Sequence, residues 1–92
     1  MIGFAECECI IYDAGSLKEK RAVLKRVLTR VQNKFNVSIS EIGYQDTWQR
    51  TSFGIAAVSS SRVQTEKELQ RVLAFIDSFP EIERTITRTE WF

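Results

Sequence analysis

Two stretches of helical periodicity divide this chain of 92 residues. In the first, Leu17, Leu24, Val27, Leu28, Val31 and Phe35 recur on one stripe at a helical spacing, and in the second Leu69, Val72, Leu73, Ile76 and Phe79 do the same. Each opens on a capping signal. Ser16-Leu17-Lys18-Glu19 carries the Ser and Glu of a capping box, and Ser59-Ser60-Ser61 precedes the second stretch. Asn36 stops the first helix near Phe35, and Pro80 closes the second, which runs from Arg62 to Ser78. Everything around them alternates with a period of two. Residues 2–12 set Ile2, Phe4, Glu6, Glu8, Ile10 and Tyr12 on one side and the small apolar Ala5, Cys7, Cys9 and Ile11 on the other. Asp13-Ala14-Gly15-Ser16 breaks that strand. Residues 37–44 read as a second strand and about 48–59 as a third, with Gly54-Ile55-Ala56-Ala57-Val58 apolar on both faces as a central strand requires. Glu81 to Phe92 reads as a last strand, rich in Thr and Ile.

The order is β-α-β-β-α-β. Right-handed crossovers and antiparallel pairing turn it into an α+β, ferredoxin-like sandwich: a four-stranded antiparallel sheet with two helices on one face. The first and third strands are central. A chain of this length makes a single domain, residues 1–92, whose core buries a little over about 60% of the unfolded surface.

Composition removes several function classes. With no histidine, a Ser-His-Asp triad, a Cys-His pair and an imidazole metal site are impossible within one chain. Cys7 and Cys9 are the only cysteines. Two apart on a strand they share a face and are poorly placed for a disulfide, so they read as small buried hydrophobes. A C-x-C metal half-site needs further Cys or His ligands, and none exist. No metal and no cofactor are expected. No apolar run is long enough to span a membrane, and the N-terminus has no basic region but carries Glu6 and Glu8. Neither a membrane anchor nor a signal peptide is expected, which points to the cytoplasm.

Chain direction brings three segments to one rim: Asp13 to Arg21, Tyr44 to Arg50, and Phe79 to Glu83. The formal net charge of +1 is a sum of opposites. Residues 16–35 hold seven basic groups (Lys18, Lys20, Arg21, Lys25, Arg26, Arg30 and Lys34) against Glu19 alone, a net of +6. The remainder holds six basic and eleven acidic groups, a net of −5. Such a helix attracts polyanions over about 10 Å at physiological salt. Solvated helix faces usually interleave both signs, as the second helix does. Lys18, Lys20, Arg21 and Lys25 are therefore candidate phosphate contacts, joined by Arg50 from the neighbouring loop. In that loop Gln45, Asp46 and Gln49 shape the chain. Trp48 either packs in the core or stacks on a base, and an Asp46–Arg50 brace stands beside ligand contact as an equal alternative.

The sheet face without helices is the second candidate surface. Phe4, Ile10 and Tyr12 flank Glu6 and Glu8, and the last strand adds Trp91. Apolar groups there suggest self-association, a sheet-to-sheet homodimer. The faces of Arg84 and Arg88 stay open.

Enzymatic function is disfavoured. Acylphosphatase-type enzymes of this topology resemble a Gly-rich anion loop after the first strand, whereas the turn here has Gly15 alone and no P-loop pattern. RNA-recognition domains stack bases on third-strand aromatics. The stretch Arg50-Thr51-Ser52-Phe53-Gly54-Ile55-Ala56-Ala57-Val58 has a faint likeness to their motif but lacks the second and third aromatics.

Three blocks in order carry a resemblance: Ser16-Leu17-Lys18-Glu19-Lys20-Arg21, Asn33-Lys34-Phe35-Asn36-Val37-Ser38, and Gln45-Asp46-Thr47-Trp48-Gln49-Arg50. Together they resemble the successive motifs of the YlxP-like family of small bacterial proteins, over nearly the whole chain. Thr47, where an aliphatic residue is usual, and the cysteines at 7 and 9 depart from it. The resemblance implies a ferredoxin-like fold, a cytoplasmic bacterial protein, and a gene often placed among translation and ribosome-maturation genes. A non-enzymatic protein binding structured RNA or the ribosome through the basic helix and the Gln45–Arg50 loop is the expectation. The alternative is a protein-protein or homodimerisation module with no nucleic-acid role.

Overall fold

A computed structural model describes residues 1–92. The chain forms β1 (Ile2–Ile11), α1 (Leu17–Lys34), β2 (Ser38–Gly43), β3 (Arg50–Val58), α2 (Arg62–Asp77) and β4 (Ile82–Trp91). The sheet order is β2-β3-β1-β4, all antiparallel. This is the ferredoxin-like βαββαβ sandwich expected from the periodicity. α1 packs toward β2, and α2 covers β1, β3 and β4.

The alternation of β1 sets the two layers. Ala5, Cys7, Cys9 and Ile11 face the helices and are fully buried with Phe53, Ile55, Val27, Val31, Leu69, Val72 and Ile76. The neighbouring Cys7 thiol, together with burial, holds the Cys9 thiol protonated, well above its ordinary range. Phe4, Glu6, Glu8 and Ile10 face the open side, each half-buried.

Both helices begin as their sequences dictate. The Ser16 hydroxyl accepts from the Glu19 N–H at 3.1 Å, and that of Ser61 from the Gln64 N–H at 3.4 Å. The Glu19 carboxylate reaches back to the Gly15 N–H at 2.9 Å. The α1 N-terminus has thus already taken an anion of its own.

Some boundaries differ. β1 ends at Ile11, one residue short, because Tyr12 and Asp13 form a turn with Asp13 in the left-handed region (φ 62°). β3 begins at Arg50, not near Trp48, because Tyr44 (φ 59°) turns the chain out of β2 and its carbonyl accepts from Thr47 N–H at 3.0 Å. Residues 45–49 are a connection with every residue exposed.

Candidate functional site

The rim assembles as chain direction predicts. Ile11 N–H donates to the Gln49 carbonyl at 2.9 Å, and Tyr12 N–H to the Glu81 carbonyl at 2.8 Å. The Gln49 side-chain amide reaches the Ala14 carbonyl at 3.4 Å. The first turn, the 45–49 connection and the α2–β4 turn therefore share one edge.

Seven cations of α1 sort into three groups. Arg26 pairs with Glu81, Arg30 lies over the Phe79 ring at 5.6 Å, and Lys34 over the Phe75 ring at 4.8 Å. These serve the fold. Lys18, Arg21 and Lys25 are exposed and have no acidic partner within 4.0 Å. Spaced by three and four residues, they form one stripe about 10 Å long.

Lys20 departs from the expectation that it contacts phosphate. Its side chain is 1% exposed, with the ammonium 3.0 Å from Glu41 Oε2 and 2.5 Å from the Tyr44 carbonyl. Glu41 Oε2 also accepts from Thr51 Oγ1 at 2.6 Å. A buried charge needs such partners, so Lys20 is committed inside. Its neighbour on the helix wheel is the buried stripe, which was the signal for burial; no local feature pointed to Glu41 or Thr51, which arrive from other strands.

The loop is presented rather than packed. Trp48 is 51% exposed, so its indole is no part of the core. Gln45, Asp46 and Gln49 are exposed beside it. Arg50 makes no ion pair with Asp46. Its guanidinium lies 4.7 Å from the centroid of the Tyr44 ring, a stack that sequence reasoning missed. The Tyr44 hydroxyl donates to Glu8 Oε1 at 2.6 Å, and this bond to a carboxylate raises the phenol above its ordinary value near 10.0.

On the open sheet face Phe4 and Ile10 stand as expected. Tyr12 lies past the strand end, with its hydroxyl 2.9 Å from Glu83. Trp91 does not belong there. It pairs with Gly3, whose side of β1 faces α2, and Arg62 of α2 covers its ring at 4.6 Å. Directly paired residues share a face, so Trp91 is on the helix side. Arg84 is on that side too, bound to Asp77 at 2.8 and 2.9 Å, whereas Arg88 pairs with Glu6 on the open face. The register shift opposite Glu8 separates the two arginines' faces.

No helix is long and apolar enough to cross a membrane, and no cluster of three Cys, Asp or Glu is placed to hold a metal. A family model described as "Protein of unknown function (DUF503)" matches residues 2–89. The chain is similar to "Uncharacterized protein YlxP" of Bacillus subtilis (strain 168), 99% identical over 92 residues that span all of both chains. Its motif blocks, its βαββαβ order and these matches agree: the chain belongs to the DUF503, or YlxP-like, family.

Proposed function

We propose that this protein binds structured RNA, free or in the ribosome, through α1 and the adjoining loop, and that it acts in the cytoplasm. One observation carries this: three exposed cations, Lys18, Arg21 and Lys25, stand in a stripe without any acidic partner, on a helix whose Lys20 holds the start of a connection that presents Trp48. Arg50, expected to join them, pairs with Ile10 on the open sheet face and is not part of the stripe. Unpaired cations in a row suit a phosphate backbone, and an exposed indole suits an unpaired base. The translation genes among which the family's resemblance sets this chain favour RNA over other polyanions.

Affinity for ribosomal RNA against salt tests it. Three phosphate contacts predict a log–log slope of about −2.5, or roughly a thirtyfold loss between 50 and 200 mM salt. Arg21→Glu/Lys25→Glu lowers affinity and flattens the slope. A native chain with no salt dependence, or a charge-reversed variant that binds equally well, refutes the proposal.

A second reading rests on the uncovered sheet face, where Ile2, Ile42, Val58 and Ile86 are exposed around Phe4. Such a surface fits a homodimer. For this reading light scattering is expected to give a mass that doubles with concentration, a rise that Ile42→Asp abolishes; a native chain monomeric throughout excludes it.

A further inference from the structure

A buried ammonium group is costly unless its surroundings require it. At Lys20 those surroundings are specific. The ammonium bridges two elements: Glu41 of β2 and the carbonyl of Tyr44, the first peptide of the connection to β3. That carbonyl also accepts the Thr47 N–H, which closes the turn. Tyr44 sits in the left-handed region, a conformation that a bulky residue holds only when its surroundings over-determine it. The far end of the connection is tied by Ile11 and Ala14 to Gln49. Between these two anchors, residues 45–48 bury none of their own side chains. The loop thus has no core to fix it, and a buried cation on α1 grips one of its ends.

We propose that Lys20 is a positioning residue: it holds the Tyr44–Thr47 turn against α1, and so sets the connection that carries Trp48 at the end of α1 that bears Lys18, Arg21 and Lys25, without touching the bound RNA. This rests on the RNA-binding proposal above. Three consequences separate a strut from a contact. Loss of a strut loosens the free loop, weakens binding through the cost of ordering that loop, and leaves the number of neutralised phosphates unchanged.

Lys20→Met/Glu41→Gln is the variant to use. Methionine keeps much of the lysine stem, and glutamine avoids a stranded carboxylate while leaving Thr51 an acceptor. Trp91→Phe is introduced throughout so that Trp48 is the only indole. In the free protein, time-resolved anisotropy of Trp48 gains a fast component in the variant. Affinity for a labelled ribosomal RNA fragment falls about tenfold, since an unheld loop must be ordered on binding. The slope of log affinity against log salt stays at its native value. Lys25→Ala, by contrast, makes the slope shallower by about 0.7–0.9. Lys20→Arg, which keeps a cation and its donors, recovers the Trp48 anisotropy in part.

Two results overturn the proposal: unchanged Trp48 anisotropy in the variant, or a slope that flattens as it does for Lys25→Ala. If the native chain binds no RNA, the RNA-binding proposal fails on its own, and the anisotropy still decides whether Lys20 holds the loop. If the double variant does not fold, the Lys20 ammonium resonance of the native protein decides. Slowly exchanging protons unmoved by RNA support the strut; a shift on RNA addition that matches those of Lys18 and Lys25 refutes it.

Discussion

Replacing Gly3 by alanine probes how tightly α2 is seated on the sheet. Gly3 lies on β1 with ordinary extended backbone, so a side chain there costs nothing in conformation. The space is the obstacle. A Cβ at this position would lie 2.8 Å from Thr65 Cγ2, 2.9 Å from Leu69 Cδ1 and 2.9 Å from Trp91 Cζ3. Ordinary contact begins near 3.4 Å, so all three neighbours must retreat by half an ångström or more. Two of them resist. Leu69 is buried in the core, and Thr65 is buried with its hydroxyl bonded to the Ser61 carbonyl at 2.9 Å. Trp91, at the edge of the sheet, has the most freedom to tilt. Overpacking of this kind costs about 1–3 kcal/mol. Relief of the glycine's unfolded-state entropy offsets roughly 0.5–1 kcal/mol of that. A net loss of about 1 kcal/mol lowers Tm by about 4–8 °C in a domain of this size. Thermal unfolding followed by circular dichroism measures it. Gly15→Ala is the matched control: it is exposed, its φ is not positive, and the nearest atom to its Cβ is a Glu19 carboxylate oxygen at 3.6 Å, an ordinary contact distance. There the same substitution is neutral or stabilises by about 0.4–1 kcal/mol. An unchanged or raised Tm for Gly3→Ala would mean that α2 and Trp91 do not close over β1 as described.

Three further outcomes are expected. Both tyrosines of the chain donate to carboxylates, Tyr12 to Glu83 and Tyr44 to Glu8, and both titrate above the ordinary value near 10.0. Since the folded pKa is raised, the stabilisation from these bonds is complete below pH about 10 and is lost as pH rises through the folded values; ultraviolet phenolate titration shows a single late transition that Glu8→Gln with Glu83→Gln moves back. Ser16→Ala removes the acceptor of the Glu19 N–H and costs about 1 kcal/mol by urea unfolding, more than a change at the neighbouring exposed Lys18. Asp77→Asn breaks the two-bond contact with Arg84, but both side chains are partly solvated, so the loss is below about 1 kcal/mol and shrinks further at high salt.

Sequence periodicity determined the architecture, because each element carries its own local signal: alternation in residues 2–11, capping serines at 16 and 61, and apolar stripes at helical spacing. Chain direction then sufficed to bring the 13–21 and 44–50 segments to one rim. Side-chain fate along that rim was not written locally. Lys18, Lys20, Arg21 and Lys25 are equivalent as a run of charge. The helical stripe sets Lys20 apart from the other three, but only tertiary structure supplies its partners, because Glu41 and the Tyr44 carbonyl, more than twenty residues away, arrive beside it. Trp91 likewise turned from the open face to the helix side because a strand's register depends on its partner: the shift in pairing between Cys7 and Cys9 breaks the simple alternation along β4. Composition and pattern determined which charges exist and on which element they lie. Long-range packing decided which of them stays available for a ligand, because a charge is spent or free according to what folds next to it.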